Sequence, residues 1–299
     1  MTAGPSVDTG SGLPGKSSAG SSSLSFPGAA SMLWAQTRHQ VMVFWRIPVA
    51  AFFTLVLPIV MLVLFNALFG DGEIETDEGS WPVRQFYTGA LAAFAAVSAT
   101  YTNLANMVPI RRDEGVLKRW RGTPLPPWIY IGGLIASAVV IAVIGVVFMV
   151  ALGVVAYDLQ IEAAKLPAAV VTFVVGVAAF AALGLAVTTI IPNAESAPAV
   201  ANATILPLAF ISDVFIPLED PPRWLEAIAN FFPLKPFVNA FQDTFNPLVE
   251  APGFAWGSLG WIALWGLAGA VVAARRFRWE PAVGATGGRR RRGRNPSTD

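Results

Sequence analysis

The chain has 299 residues, 55% of them hydrophobic and only 13% charged. A water-soluble domain carries about 45–50% apolar and about 25% charged residues, so the shortage of polar surface excludes a soluble enzyme, a disordered scaffold and a nucleic-acid-binding domain. Cysteine is absent and His39 is the single histidine, which excludes a disulfide framework and thiolate zinc and leaves little for a His-based metal site or a Ser-His-Asp triad. The net charge of +1 averages over a strong segregation along the chain.

Residues 1–30 are rich in Ser, Gly and Pro and read as a disordered cytoplasmic arm, because they hold too little apolar surface to fold. They carry no apolar run of the kind a secretory signal needs. Gly10 to Ser17 (GSGLPGKS) match the phosphate-loop pattern letter for letter. That loop works only between a buried strand and a helix whose N–H groups converge on phosphate. Neither flank can form those elements and Pro14 removes an N–H, so nucleotide binding is not assigned here. Residues 31–46 mix Trp34, Val41, Phe44 and Trp45 with Arg38, His39 and Arg46. They predict a helix in the inner membrane interface feeding the first span, with an extended start of that span as the alternative. His39 then sits on the solvated side.

Crossing a bilayer takes about 20 apolar residues as helix. Six stretches qualify: Ile47–Phe69, Phe86–Ile110, Trp128–Tyr157, Pro167–Ile191, Ala197–Leu218 and Phe254–Ala274. No strand-like alternation is present, so the fold class is an all-α integral membrane protein with its membrane domain over 31–278 and a basic tail over 279–299. Pro58 and Pro207 fall inside spans and predict kinks. With both termini placed inside, 16 of the 20 Lys/Arg residues lie on the inner side and 13 of the 19 Asp/Glu residues on the outer side. The positive-inside rule favours that orientation. The outer segment 219–253 contains apolar stretches too short to span, RWLEAIANFFPL and PFVNAFQDTFNPL, which predict re-entrant or interfacial helices.

Two groups of polar residues fall within spans. Ser98, Thr102 and Asn106 are spaced i, i+4, and Asn202 and Asp213 are 11 residues apart, which brings them to one face of a continuous helix, within about 20°. Interhelical hydrogen bonding is the simpler reading of both stripes, and a substrate path the other. The Asn202-Ala-Thr204 glycosylation pattern lies within a span and is discounted.

The inner loop from Arg111 to Gly133 is the most polar part of the membrane domain. Asp113 and Glu114 open a short predicted helix that Lys118, Arg119 and Arg121 close, which complements the helix dipole. Glu114 and Lys118 are spaced i, i+4, and the prolines at 124, 126 and 127 stop the helix. Val116, Leu117 and Trp120 give it an apolar side. It reads either as a docking helix for a partner or as a solvated positive loop. The tail brings Arg275, Arg276, Arg278, Arg289 to Arg292 and Arg294, suited to anionic membrane lipids rather than nucleic acid.

The run Glu114-Gly-Val-Leu-Lys-Arg-Trp-Arg-Gly-Thr-Pro-Leu-Pro-Pro-Trp resembles the cytoplasmic signature of ABC-2 type permeases, E-G-T-L-K-R-L-R-x-T-P-L-P. The likeness continues through Phe210-Ile-Ser-Asp-Val-Phe-Ile-Pro-Leu-Glu, Pro222-Arg-Trp-Leu and Phe232-Pro-Leu-Lys-Pro, in order from about Trp34 to Arg276. The resemblance implies a permease subunit of an ATP-driven exporter for an amphipathic drug or natural product, without catalytic residues, cofactor or metal of its own. ATP and Mg would belong to a separate ABC ATPase subunit, and a second permease, identical or paralogous, would complete the pathway. The loop would form a coupling helix, with Glu114, Gly115, Leu117, Lys118, Arg119, Trp120 and Arg121 at the ATPase contact and Leu117 or Trp120 filling its cleft. Many members have Gly where this chain has Asp213. The rival readings are an ion-coupled secondary carrier, an ABC exporter of a lipid or lipid-linked glycan, and a membrane-embedded enzyme. The carrier lacks a buried midplane charge and internal repeats, and the enzyme lacks converging acid, base and nucleophile.

Overall fold

The computed structural model describes Thr2, Gly4 and residues 28–76, 79–121, 126–217 and 221–277. Most of the N-terminal arm, with its phosphate-loop pattern, and the basic tail from Arg278 onward lie outside the described residues. Helix α1 (Ala29–Trp45) is discrete and closed by a turn at Arg46. It runs alongside the start of α7 (Pro127–Tyr157) rather than standing apart from the bundle. Gly132 and Gly133 leave a shallow notch into which Leu33 and Gln36 fit. Gln36, Thr37, Gln40 and Phe44 are therefore buried, while Trp34, Met42 and Trp45 face outward.

The first expected span is one helical run, Pro48–Phe69. It comprises α2 (Pro48–Ala51), a π turn (Phe52–Val56) and α3 (Leu57–Phe69). Pro58 offers no N–H and its ring would strike the carbonyl four residues back, a conflict that a widened turn absorbs. A two-stranded antiparallel ribbon follows, β1 (Glu73–Thr76) with β2 (Gly79–Pro82). It pairs Ile74 with Trp81, and both are buried. Those strands were not expected from sequence.

The next helical run covers 83–113: α4 (Val83–Val97), a π turn (Ser98–Thr102) and α5 (Asn103–Asp113). Every residue of α4 except Arg84 is buried, against α3, α7, α8 (Leu166–Val187) and α11 (Leu234–Gln242). It is the central rod of the molecule. Being surrounded by protein, it intersperses Ala, Gly and Thr, which let neighbouring helices approach closely, with buried Phe86, Tyr87, Leu91 and Phe94.

Among the described residues four helices are long and apolar enough to cross a membrane: Pro48–Phe69, Trp128–Tyr157, Ala163–Val187 and Trp256–Arg276. The fifth expected span is corrected. Helix α9 (Ala197–Phe210) has 14 residues and reaches about 21 Å, short of a core about 30 Å thick. It was expected to continue to Leu218, but the chain turns at Ile211–Asp213, where Asp213 has φ +56°. Asp213 is therefore not on a helix, and its expected alignment with Asn202 on one helical face does not exist.

The segment after α9 folds into α10 (Arg223–Phe231) and α11, broken at Phe232-Pro233. Helix α10 exposes Trp224, Ile228 and Phe231, whereas α11 buries Leu234, Phe237, Val238 and Phe241 in the core. The Phe237 ring fills the space that a side chain at Gly176 would take. The last helix, α12 (Trp256–Arg276), packs along α8. A Cβ on Gly266 would lie 2.8 Å from the Ala179 Cα, so the small residue lets the two backbones meet. Arg111, Arg112, Lys118, Arg119, Arg275 and Arg276 gather at one end of the bundle, and Asp71, Glu73, Glu75, Asp158 and Glu162 at the other.

Candidate functional site

At the basic end α5 runs through Asp113, so Asp113 and Glu114 finish a long helix rather than open a short one. The expected dipole pairing is thereby reversed for them, and Arg111 and Arg112 in the same last turn supply the favourable charge. Gly115, at φ +71° with open space around its Cα, turns the chain into α6 (Val116–Arg121). Glu114, Lys118 and Arg119 are exposed, and no ion pair joins Glu114 to Lys118 among the described residues. Leu117 is 0% exposed. It packs in a cluster with Leu104, Val108, Tyr130, Leu134, Ala181, Leu185 and Ala273. Leu117 is thus the anchor of α6 on its own bundle, and the expectation that it fills a partner's cleft is corrected. The side chains of Trp120 and Arg121, and all of Gly122 to Leu125, lie outside the described residues.

The residues just before Gly115 were not singled out by sequence. Arg112 is 3% exposed. Its Nη2 donates to the Ile191 and Pro192 carbonyls at 2.8 and 3.1 Å, and its Nη1 donates to the Thr188 carbonyl at 3.4 Å. Its Nε lies 3.6 Å from Asp113 Oδ1. Asp113 Oδ2 accepts the Ala194 N–H at 2.6 Å. A guanidinium presents several donors in a fixed fork, which suits the three carbonyls that the turn after α8 aims at it. Arg111, one position back, points elsewhere and donates to the Tyr130 hydroxyl at 3.4 Å. Two adjacent arginines on a helix diverge by about 100°, so a helix packed against a bundle cannot solvate both equally. That was the available signal.

The predicted polar stripes do not form one site. Ser98 is buried within the π turn; Asn106 Nδ2 donates to the Thr102 carbonyl at 2.8 Å, and its Oδ1 has no partner among the described residues. Asn202 is exposed. The side-chain bond that crosses between the two helices joins neighbours of the predicted residues, Tyr101 and Thr204, at 2.6 Å. Asp213 instead meets Lys235 at 3.1 Å, tying the turn after α9 to α11.

At the acidic end lies a cavity of about 650 Å³ between α3, the ribbon, α4 and the turn after α9. Phe65, Phe69, Tyr87, Phe210 and Phe215 line it with Glu73. Phe65 stacks on Tyr87 at 4.9 Å, and Phe215 meets Phe210 at a tilt with ring centroids 5.1 Å apart. Glu73 Oε2 accepts the Ser80 hydroxyl at 2.6 Å.

No match was found among curated proteins. The family model described as ABC-2 type transporter matches residues 32–246, most of the chain, including α6 and the Arg112 and Asp113 contacts. With its apolar helices and that match, this is a multi-pass membrane protein of a transport family whose members work with an ABC ATPase. The chain belongs to the ABC-2 type transporter family, as a permease subunit of an ABC transporter.

Proposed function

We propose that this permease exports an amphipathic compound, paired with a second permease, and is driven by a separate ATPase subunit that docks on α6. The observation that carries the reading is the seating of α6. Its buried Leu117 fixes the helix to the bundle, while Glu114, Lys118 and Arg119 stand exposed without partners among the described residues. A helix held this way presents charge to a partner and passes a push to the bundle. ATP binding by the partner would then shift the balance between inward-open and outward-open states through differential binding to the two.

The aromatic cavity at the opposite end supports an amphipathic substrate, since its rings offer apolar contact and Glu73 places one carboxylate at its wall. The orientation that sets the basic end in the cytoplasm follows from the positive-inside rule. In that frame α11 is the re-entrant element and the 83–113 run crosses as the second span.

Co-purification from detergent-solubilised membranes tests the docking. An ATPase subunit should accompany the wild type. Glu114→Arg and Lys118→Glu should each weaken its retention roughly tenfold, the effect of about 1.4 kcal/mol, and the double reversal should recover part of it. A folded wild-type chain that binds no ATPase under any nucleotide condition would overturn the reading.

A further inference from the structure

We infer that Arg112 and Asp113 are positioning residues that lock α6 to the turn between α8 and α9, so that the two move as one body. This deepens, and rests on, the assignment of α6 as the ATPase-docking helix. The lock has two layers. The polar layer is the Arg112 fork on the Thr188, Ile191 and Pro192 carbonyls, together with the Asp113 carboxylate on the Ala194 N–H. The apolar layer is the buried cluster that Leu117 shares with Leu185 and Ala181 of α8 and Ala273 of α12.

Both layers converge on the same target. The polar contacts hold the end of α8, and the apolar ones hold its last turns and its packing partner α12. Gly115 sits between the layers, and its N–H is bonded back to the Arg112 carbonyl at 3.1 Å. A displacement of α6 therefore reaches α8 through the last turn of α5, which carries Arg112 and Asp113. Charge-assisted bonds to carbonyls in a buried setting are among the stronger polar contacts. Their loss leaves three carbonyls and a carboxylate to find new partners. Lysine at 112 is a single point donor and cannot reproduce the fork.

The chain has no cysteine, so spin labels can be placed at Val116→Cys, a half-buried position on α6 outside the docking residues, and at the exposed Glu195→Cys, without other changes. The measurement is the label-to-label distance by pulsed electron resonance, on the permease in lipid nanodiscs, alone and with its ATPase with and without trapped nucleotide. The expected result is one narrow distance that stays the same in every state. Arg112→Gln and Asp113→Asn should broaden it, and Arg112→Lys should fall between. With the ATPase bound, transport per ATP hydrolysed should drop roughly tenfold in Arg112→Gln, within the usual range of a coupling energy, while ATPase retention stays at the wild-type level.

A wild-type distance that changes between nucleotide states overturns the inference. So does an Arg112→Gln variant with wild-type distance and wild-type transport per ATP. If Arg112→Gln fails to fold, the wild-type distances still decide the matter. If no ATPase binds the wild type, the docking assignment fails, while the distance in the permease alone still reports on the lock.

Discussion

Asp213 shows how one residue can carry a backbone demand and a charge demand together. Its φ of +56° lies where a side chain is strained and glycine is at ease. Here the aspartate is held by Lys235 at 3.1 Å, with both side chains largely out of water. Breaking such a pair by removing one member costs about 3 kcal/mol, whereas replacing both is close to neutral. Lys235→Met alone should therefore lower the melting temperature in detergent. Asp213→Gly combined with Lys235→Met should restore most of it, since glycine relieves the strain and methionine keeps the aliphatic stem. Equal destabilisation in the single and double variants would refute this account. The sequence could not show the pair, because a regular helix through Leu218 was the natural extension of an apolar run, and only the turn at Ile211 brings Asp213 to Lys235.

Among the elements, α6 depends on one side chain for its seat. Removing a buried leucine costs about 2–5 kcal/mol where the site cannot collapse. In a helix of six residues that loss is local. Leu117→Ala should abolish hydrogen-exchange protection of the amides of residues 119–121, the first of which donates to the Gly115 carbonyl, while the amides of α4 keep theirs. Full retention of protection in α6 would show that its backbone bonds suffice alone. Apolar stretches gave the long helices within a few residues, because lipid-facing and core-facing surfaces are both hydrophobic. They misjudged α9, which looked long because the chain beyond Phe210 stays apolar after the helix ends. They gave the 83–113 run to within three residues at each end, although α3, α7, α8 and α11 pack around its first half. Charge periodicity located the exposed face of α6 but not its anchor, since Leu117 on so short a helix reads equally well as facing inward or outward.

Taken as a whole, the molecule separates charge along its length, with six basic residues of α5, α6 and α12 at one end and the acidic ribbon and loops at the other. The positive-inside rule turns that separation into a testable orientation. Lys118→Cys and Gln160→Cys each place a single exposed thiol at opposite ends. A membrane-impermeant maleimide added to intact cells should label position 160 and spare 118; the reverse pattern would invert the topology. The central rod adds a constraint that reaches the basic end. A π turn is an α-helix that has accepted one surplus residue, so Ser98–Thr102 records an insertion within the most enclosed helix of the fold. A one-residue deletion there would close the turn without breaking the helix, yet would swing everything beyond it by about 100°. Arg112, ten residues downstream of that turn, would leave the carbonyls of 188–192, so the reading frame of this helix, counted in single residues, fixes whether its far end meets α8 at all.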